Sequence, residues 1–203
     1  MARRHAIVKK LASVETLGSA SVIATDKTGT LTRNEMTIVR VVTASGASDI
    51  TGVGYAPVGQ VQQGGAALQP GAQHEENVAV LSGGSLAGNA ALRQIAGGDW
   101  EIQGDPTEAA FLVAEHKLGG SARREKRFTR IGEFPFTSDR KMMSTIEADH
   151  NHGDAPVVIA KGAPGVLLAR CTQVRVGSAT VELDTAMRHR ILADVGTLAD
   201  AAL

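Results

Sequence analysis

The sequence predicts an α+β fold, in which an antiparallel β-sheet is flanked by helical hairpins. Three observations support this class. Hydrophobic residues make up 43% of the 203 residues, which is enough for a buried core. Strand-like runs follow one another with short polar turns between them. Helices with clear start signals are inserted among these runs, an order that is typical of α+β folds.

The first part of the chain contains a predicted helix, two predicted strands and glycine-rich segments. Residues 2–17 carry apolar side chains on one helical face. Residues 21–24 form a short β-prone run, and residues 36–43 (MTIVRVVT) are rich in branched side chains. The glycine-rich stretch at residues 61–73 is predicted to be a surface loop.

Two helices and a short strand are predicted in the middle of the chain. Residues 75–96 are mostly helical in pattern, although three glycines interrupt them, and residues 100–103 favour a short strand. Asp105 has the properties of a helix N-cap, and Pro106 fits the first helical position. We therefore predict a helix that begins after Asp105 and ends near Leu118.

The last third of the chain is predicted as strands followed by helices. Branched and aromatic residues alternate with polar ones in three successive runs. The predicted elements are strands at residues 128–133, 142–147 and 157–160, a short helix near Pro164, a hairpin over residues 173–183 and a final helix capped by Asp184.

The composition argues against several classes of protein. The single cysteine, Cys171, excludes a disulfide within the chain. The 21 basic residues balance the 21 acidic ones, so no basic excess points to nucleic acid. No apolar run approaches the roughly 18 residues that a membrane-spanning helix needs. We expect the chain by itself to be soluble and cytoplasmic.

The segment DKTGTLT, at residues 26–32, resembles the phosphorylation motif of the P-type ATPases. The chemistry accounts for its residues, because the Asp26 carboxylate can attack the terminal phosphate of ATP. Lys27 and the Thr28 hydroxyl can hold the phosphoryl oxygens. Gly29 allows the backbone to approach the phosphate closely. The plainer alternative is a polar turn after a strand.

Further segments extend this resemblance over nearly the whole chain. GVGYAP, at residues 52–57, is similar to a segment of the type II cation pumps, the calcium-pump-like group. Three segments are similar to the nucleotide-binding domain of the family, and they occur in the family's order: GDPTE at residues 104–108, FPFTSDRKMMS at residues 134–144 and KGAP at residues 161–164.

The resemblance implies two domains. Residues 1–35 would be a short N-terminal piece of the stalk and of the haloacid-dehalogenase-like phosphorylation domain. Residues 36–203 would be a C-terminally truncated nucleotide-binding domain. The family's later GDGxND-type segment, which supplies Mg²⁺ ligands, has no match in this sequence. We therefore expect a fragment that binds nucleotide without turning it over, and Mg²⁺ on Asp26 and Thr28 only in the complete protein.

The resemblance also implies a binding site for adenine nucleotide. Phe136 would stack on the adenine ring. Lys161 would lie along the base or the phosphates, and Gly162 belongs to the same KGAP segment. Lys141 would add positive charge for the phosphates. Glu108 would approach the adenine amino group from the start of its helix.

Four of these residues also have plainer interpretations. A capping box at the start of its helix accounts for Glu108 as well as a ligand contact does. A core position is the alternative for Phe136. Lys141 and Lys161 could be solvated surface lysines.

Two positions depart from the pattern of the family. Gly165 stands where an acidic residue usually follows KGAP, and Ser138 stands where related pumps can have an arginine. Both bear on the affinity for nucleotide.

The resemblance implies that the parent protein couples ATP hydrolysis to cation transport through an aspartyl phosphate at Asp26. Its partners would be ATP and the remaining phosphorylation, actuator and membrane domains of the same chain, with this part on the cytoplasmic side. One alternative is a soluble phosphatase of the haloacid dehalogenase group, which commonly has a second Asp where Thr28 stands. The other alternative is a regulatory module that binds no nucleotide.

Overall fold

The structure is a computed structural model that describes residue 19, residues 21–22 and residues 35–201. The predicted helix at residues 2–17, the second half of the predicted strand at residues 21–24, and the motif residues Asp26, Lys27 and Thr28 lie outside this range. The chain from Glu35 onward forms one compact unit.

The unit begins with a four-stranded antiparallel sheet in the order β1-β2-β3-β4. The strand predicted at residues 36–43 is confirmed only in its second half, as β1. The pairing of β1 with β2 joins Arg40 to Asp49 at one end and Thr43 to Gly46 at the other. The four strands are β1 (Arg40–Thr43), β2 (Gly46–Ile50), β3 (Val61–Gln63) and β4 (Ala66–Ala67).

The prediction of a surface loop at residues 61–73 is wrong. This stretch contains the β3–β4 hairpin and the first residues of a helix. Gly64 and Gly65 have φ angles of 58° and 83°, which suit a two-residue hairpin turn. Val61 is buried in the core, so tertiary packing holds the hairpin in place.

The first helix, α1, is shorter than predicted. It spans Ala72–Leu86, and the chain then forms β5 at Ala91–Gln94. The predicted helix over residues 75–96 is therefore wrong beyond Leu86. The reason is pairing with the strand β6 at Trp100–Gln103, which gives the backbone of β5 its hydrogen-bond partners.

The second helix, α2, has the predicted bounds, Pro106–Leu118. The Asp105 side chain accepts hydrogen bonds from the backbone N–H of Thr107 at 2.7 Å and of Glu108 at 3.3 Å. Gly119 ends the helix with a φ angle of 80°. A short helix, α3 (Ser121–Arg127), follows and was not predicted, because its sequence SARREKR has no apolar periodicity.

The central sheet has three antiparallel strands in the order β7-β8-β9. Each strand is longer than predicted, because pairing with its neighbour continues past the predicted bounds: β7 and β8 are extended at their C-terminal ends, and β9 is extended at both ends. A hairpin and two helices complete the unit, and the Asp184 side chain caps the last helix by accepting from Met187 N. These elements are β7 (Phe128–Thr137), β8 (Met142–Asp149), β9 (Ala155–Gly162), α4 (Pro164–Leu168), β10 (Gln173–Val176), β11 (Ala179–Glu182) and α5 (Thr185–Asp200).

The predicted class, α+β with antiparallel strands, is confirmed. In the part of the chain that the structure describes, the strands divide among four antiparallel sheets, with five α-helices around them. Among these helices, none is long and apolar enough to span a bilayer.

The core lies where α1 and α2 pack on the first sheet. Leu81 of α1 and Ala114 of α2 are fully or almost fully buried against strand residues. The strand residues are Val41, Ile50 and Val61. At the contact between the helices, Phe111 lies so close to Gly84 that a Cβ atom there would be 2.0 Å from the ring. Gly84 therefore sets how closely α1 and α2 approach.

Gly84→Ala is expected to destabilise the fold by about 1–3 kcal/mol, because the added methyl group must displace the Phe111 ring. The adjacent Gly83→Ala is the matched control on the same helix. A Cβ at Gly83 would meet only Ile159 Cγ2, at an ordinary 3.8 Å. The control should therefore stabilise by about 0.5–1 kcal/mol through the helix propensity of alanine. Urea unfolding of both variants checks this, and shifts of the same sign would contradict it.

Candidate functional site

The three central strands bring four of the predicted site residues to the same end of one sheet. Thr137, at the end of β7, pairs with Met142 at the start of β8. Met142 in turn pairs with Gly162 at the end of β9. Phe136, Lys141, Lys161 and Gly162 lie at or beside this row, which we call the β7–β9 end.

The turn from β7 to β8 is held against the KGAP segment. Lys141 N donates to Thr137 O at 2.8 Å, and Ala163 N donates to Lys141 O at 2.9 Å. Lys141 has a φ of 53°, a left-handed conformation that non-glycine residues seldom adopt. A Cβ at Gly162 would lie 2.5 Å from Lys141 O. Close backbone packing therefore requires glycine at position 162, whether or not a ligand binds.

The two phenylalanines of the FPFTSDRK segment differ in their surroundings. Phe136 is 59% exposed and Phe134 is 54% exposed, so neither belongs to the core. The Arg140 guanidinium lies 5.7 Å from the centre of the Phe134 ring. Arg140 also donates to Ser144 Oγ at 3.3 Å, so it contacts β8 and not the neighbouring Asp139. The core interpretation of Phe136 is therefore wrong, and its ring is accessible from solvent.

Lys161 is paired and half-buried, unlike a solvated surface lysine. Its Nζ lies 3.0 Å from Glu108 Oε1, and the two side chains are 23% and 17% exposed. The same Nζ lies 5.7 Å from the centre of the Phe111 ring. The ion pair joins the end of β9 to the start of α2. It fixes the position of the ammonium group at the β7–β9 end.

The Glu108 carboxylate turns away from the start of its own helix. Asp105 provides the side-chain cap of α2, and only the backbone N–H of Glu108 takes part in it. Glu108 Oε2 instead accepts from Asn89 N at 2.7 Å. Both oxygens of the carboxylate are thus used in contacts with other elements, and capping alone does not account for this side chain.

Sequence reasoning missed Asn89, whose N–H donates to this carboxylate, and Arg130, which donates to the Asn89 side chain. Asn89 lies in the loop between α1 and β5. Arg130, on β7, contacts that loop and the buried Glu147 on the neighbouring strand. A polar residue in an alternating strand gives no signal of its contact with this loop, because Leu86 and Gly88 lie more than forty positions earlier in the chain.

The β7–β9 end is open to solvent. Lys141 and Phe136 are exposed, and Ser138 and Gly165 lie on exposed segments on either side of it. A cavity of about 490 Å³ is lined by Asn89, Arg130 and Glu147 among others, but not by Phe136 or Lys161. The cavity and the β7–β9 end are therefore separate features.

The polar hairpin tip between β8 and β9 is held together by contacts between histidine and aspartate side chains. His152 Nδ1 lies 2.8 Å from Asp149 Oδ2, and His150 Nδ1 lies 2.5 Å from Asp154 Oδ1. The Arg127 guanidinium beside Asp149 holds the pKa of that carboxyl well below its usual range. Over residues 35–201 the structure contains no group of three or more acidic, histidine or cysteine side chains placed to bind a metal ion.

Comparison with known proteins confirms the resemblance stated from the motifs. The "Calcium-transporting ATPase" of Bacillus subtilis (strain 168) is 36% identical over 99% of this chain and 23% of its own length. The "Probable cation-transporting ATPase F" of Mycobacterium tuberculosis (strain ATCC 25618 / H37Rv) is 39% identical over 92% of this chain and 20% of its own length. The "Calcium-transporting ATPase type 2C member 1" of Bos taurus is 32% identical over all of this chain and 21% of its own length.

The chain thus spans between a fifth and a quarter of the length of these relatives. Residues 76–203 match the family described as "P-type ATPase, cytoplasmic domain N". This match covers more than half of the chain and contains α1 from Glu76 onward and the β7–β9 end. The chain therefore belongs to the P-type ATPases, and residues 76–203 are part of their cytoplasmic domain N.

Proposed function

We propose that the chain binds adenine nucleotide at the β7–β9 end and that, in the complete protein, this nucleotide drives cation transport. One observation carries the proposal. An exposed aromatic ring, two lysines and a carboxylate from four separate segments converge on one end of a single sheet. These are the groups that an aromatic base with attached phosphates needs.

The base would bind between Phe136 and the Glu108–Lys161 pair. The exposed Phe136 ring offers a flat face for stacking on adenine. The Lys161 ammonium lies 3.0 Å from the Glu108 carboxylate. This contact favours a position of the ammonium along the base over one along the phosphates. A carboxylate is also a suitable acceptor for the amino group of adenine.

The phosphates would extend toward Lys141. This residue lies in the exposed β7–β8 turn, where its flexible side chain can follow a phosphate group. The turn itself is held by the hydrogen bond from Ala163 N to Lys141 O. The backbone at Lys141 is therefore held in place, while its side chain can still rotate to reach the ligand.

In the parent protein, the terminal phosphate of ATP would pass to Asp26. A carboxylate oxygen of Asp26 attacks the γ-phosphorus, ADP leaves, and water later hydrolyses the acyl phosphate. Lys27 and Thr28 would hold the phosphoryl oxygens, and Asp26 and Thr28 remain the predicted Mg²⁺ ligands of the complete protein. A soluble phosphatase would not account for the match of residues 76–203 to domain N. The names of these relatives, a calcium-transporting and a probable cation-transporting ATPase, support a cation as the cargo.

Titration of the 203-residue chain with ATP tests this proposal, with the variant Phe136→Ala as the probe. The wild type should bind ATP saturably in calorimetry. Phe136→Ala should weaken binding about fivefold or more, because base–aromatic stacking contributes about 1–3 kcal/mol.

Phe134→Ala is the matched control. It removes a phenylalanine of similar exposure from the same strand. The Arg140 guanidinium lies over that ring, which is not assigned to the base. Its affinity for ATP should stay within about twofold of the wild type. A folded chain that binds no ATP would overturn the proposal and favour a regulatory module. Equal losses in both variants would contradict the stacking role of Phe136.

A further inference from the structure

Arg130 fastens the loop between α1 and β5 to the central sheet. Its Nη2 donates to Leu86 O and, at 2.8 Å, to Gly88 O. Its Nη1 donates to Asn89 Oδ1 at 2.5 Å. One guanidinium group therefore binds three acceptors, one at the end of α1 and two in the loop.

The location of these acceptors explains why a cation is needed there. Leu86 is the last residue of α1, whose final carbonyl groups lack partners within the helix and carry partial negative charge. The last turn of α1 contains no basic residue of its own. Arg130 supplies the cation from another strand, and the almost fully buried Glu147 orients it by accepting from Nε at 3.2 Å.

The loop that Arg130 holds also holds Glu108. The N–H of Asn89 donates to Glu108 Oε2 at 2.7 Å, and Glu108 Oε1 binds Lys161 at 3.0 Å. A Cβ at Gly88 would lie 3.3 Å from Lys161 Nζ and 3.4 Å from Glu108 Cβ, so the loop packs directly against the pair. Any displacement of the loop must therefore move the Glu108 carboxylate.

We propose that Arg130 is a positioning residue for the nucleotide site, and that it acts through Asn89 on Glu108. This role rests on the proposed function, because the groups that Arg130 would orient are those that would contact the base. Arg130 itself lies behind the loop and does not contact the nucleotide. Its role depends on the forked guanidinium, since a lysine ammonium cannot reach Glu147, two backbone carbonyls and the Asn89 side chain together.

The test is a double-mutant cycle between Arg130→Lys and Glu108→Gln, with the dissociation constant for ATP as the readout. In the wild-type background, Arg130→Lys should weaken ATP binding about fivefold, as expected for a misplaced charged hydrogen-bond partner. In the Glu108→Gln background the same change should have less than about a twofold effect, because the group that Arg130 positions is already altered. An equal loss in both backgrounds would overturn the inference.

A second variant serves if Arg130→Lys disturbs folding. Asn89→Ala removes only the exposed side chain that accepts from Arg130 Nη1, and it leaves the Asn89 N–H in place. Like Arg130→Lys, it should weaken ATP binding, and this effect should also disappear in the Glu108→Gln background. The NMR chemical shift of the amide proton of residue 89 is a second measurement, and it needs no nucleotide. This shift should change in Arg130→Lys as it does in Glu108→Gln.

Arg93→Lys is the matched control. Arg93 forms a similar forked contact with Glu101 on β5 and β6, but both side chains are more than half exposed and neither holds the loop. This change should leave the affinity for ATP unchanged. If wild type and Arg130→Lys bind ATP equally well, only the inference fails. If the folded wild type binds no ATP, the proposed function fails, and the inference fails with it.

Discussion

Replacing Glu115 with alanine should destabilise the chain by about 3–5 kcal/mol, the cost of breaking a buried ion pair. Its side chain is 1% exposed, and Arg124, its partner at 2.8 Å, is only 13% exposed. Glu115 Oε1 also accepts from Ser82 Oγ at 2.6 Å. Removing the carboxylate leaves the Ser82 hydroxyl group without its acceptor and the nearly buried guanidinium with only a 3.5 Å contact to the exposed Glu125. The poorly compensated charge is the larger part of this cost.

Urea unfolding at neutral pH measures this effect, and Glu101→Ala is the control. Glu101 pairs with Arg93 at 3.0 Å, but those side chains are 51% and 62% exposed. An exposed pair contributes at most about 1 kcal/mol, so the control should lie close to the wild type. Replacing both buried partners, as Glu115→Leu with Arg124→Met, should recover most of the lost stability. Equal losses for Glu115→Ala and Glu101→Ala would refute the prediction.

Lys161→Ala should weaken the binding of ATP and of ADP by the same factor, about tenfold, as expected for the loss of a charged contact. The reason is the position of the ammonium group, which the Glu108 carboxylate holds at 3.0 Å. If Lys161 lies along the base, it contacts a part that both nucleotides share. Lys141→Ala should instead weaken ATP binding more than ADP binding, because Lys141 is assigned to the phosphates.

Calorimetric titration of each variant with both nucleotides measures this difference. Lys126→Ala is the control, since Lys126 is an exposed lysine on α3, away from the β7–β9 end. It should bind both nucleotides like the wild type. If Lys161→Ala lowers the affinity for ATP but leaves that for ADP unchanged, then Lys161 contacts the terminal phosphate and the assignment to the base is wrong.

Local sequence signals predicted several elements correctly. The start of α2 followed from Asp105 and Pro106, and the start of α5 followed from Asp184. These signals work because a cap binds backbone groups only two or three residues away, so neighbours in the sequence contain the needed information. The motifs likewise sufficed for the family, since KGAP and FPFTSDRK are contiguous stretches.

Elements that depend on distant partners were predicted poorly. The helical pattern of residues 75–96 gave no reason to stop at Leu86, because the strand that pairs with β5 comes after it in the chain. The β3–β4 hairpin was missed although Gly64 and Gly65 suit its turn, because the burial of Val61 that holds its first strand depends on distant partners. α3 was missed because its Arg124 is anchored by Glu115 of another helix.

The chain's local caps, its strand periodicity and its family could all be obtained from residues that are close in sequence. The arrangement of the candidate site could not. Lys161 meets Glu108 across 53 positions, and Arg130 meets Leu86 across 44. Charged side chains bind whichever partner the packing of helices and sheets brings within about 3 Å, and only the folded chain specifies that partner.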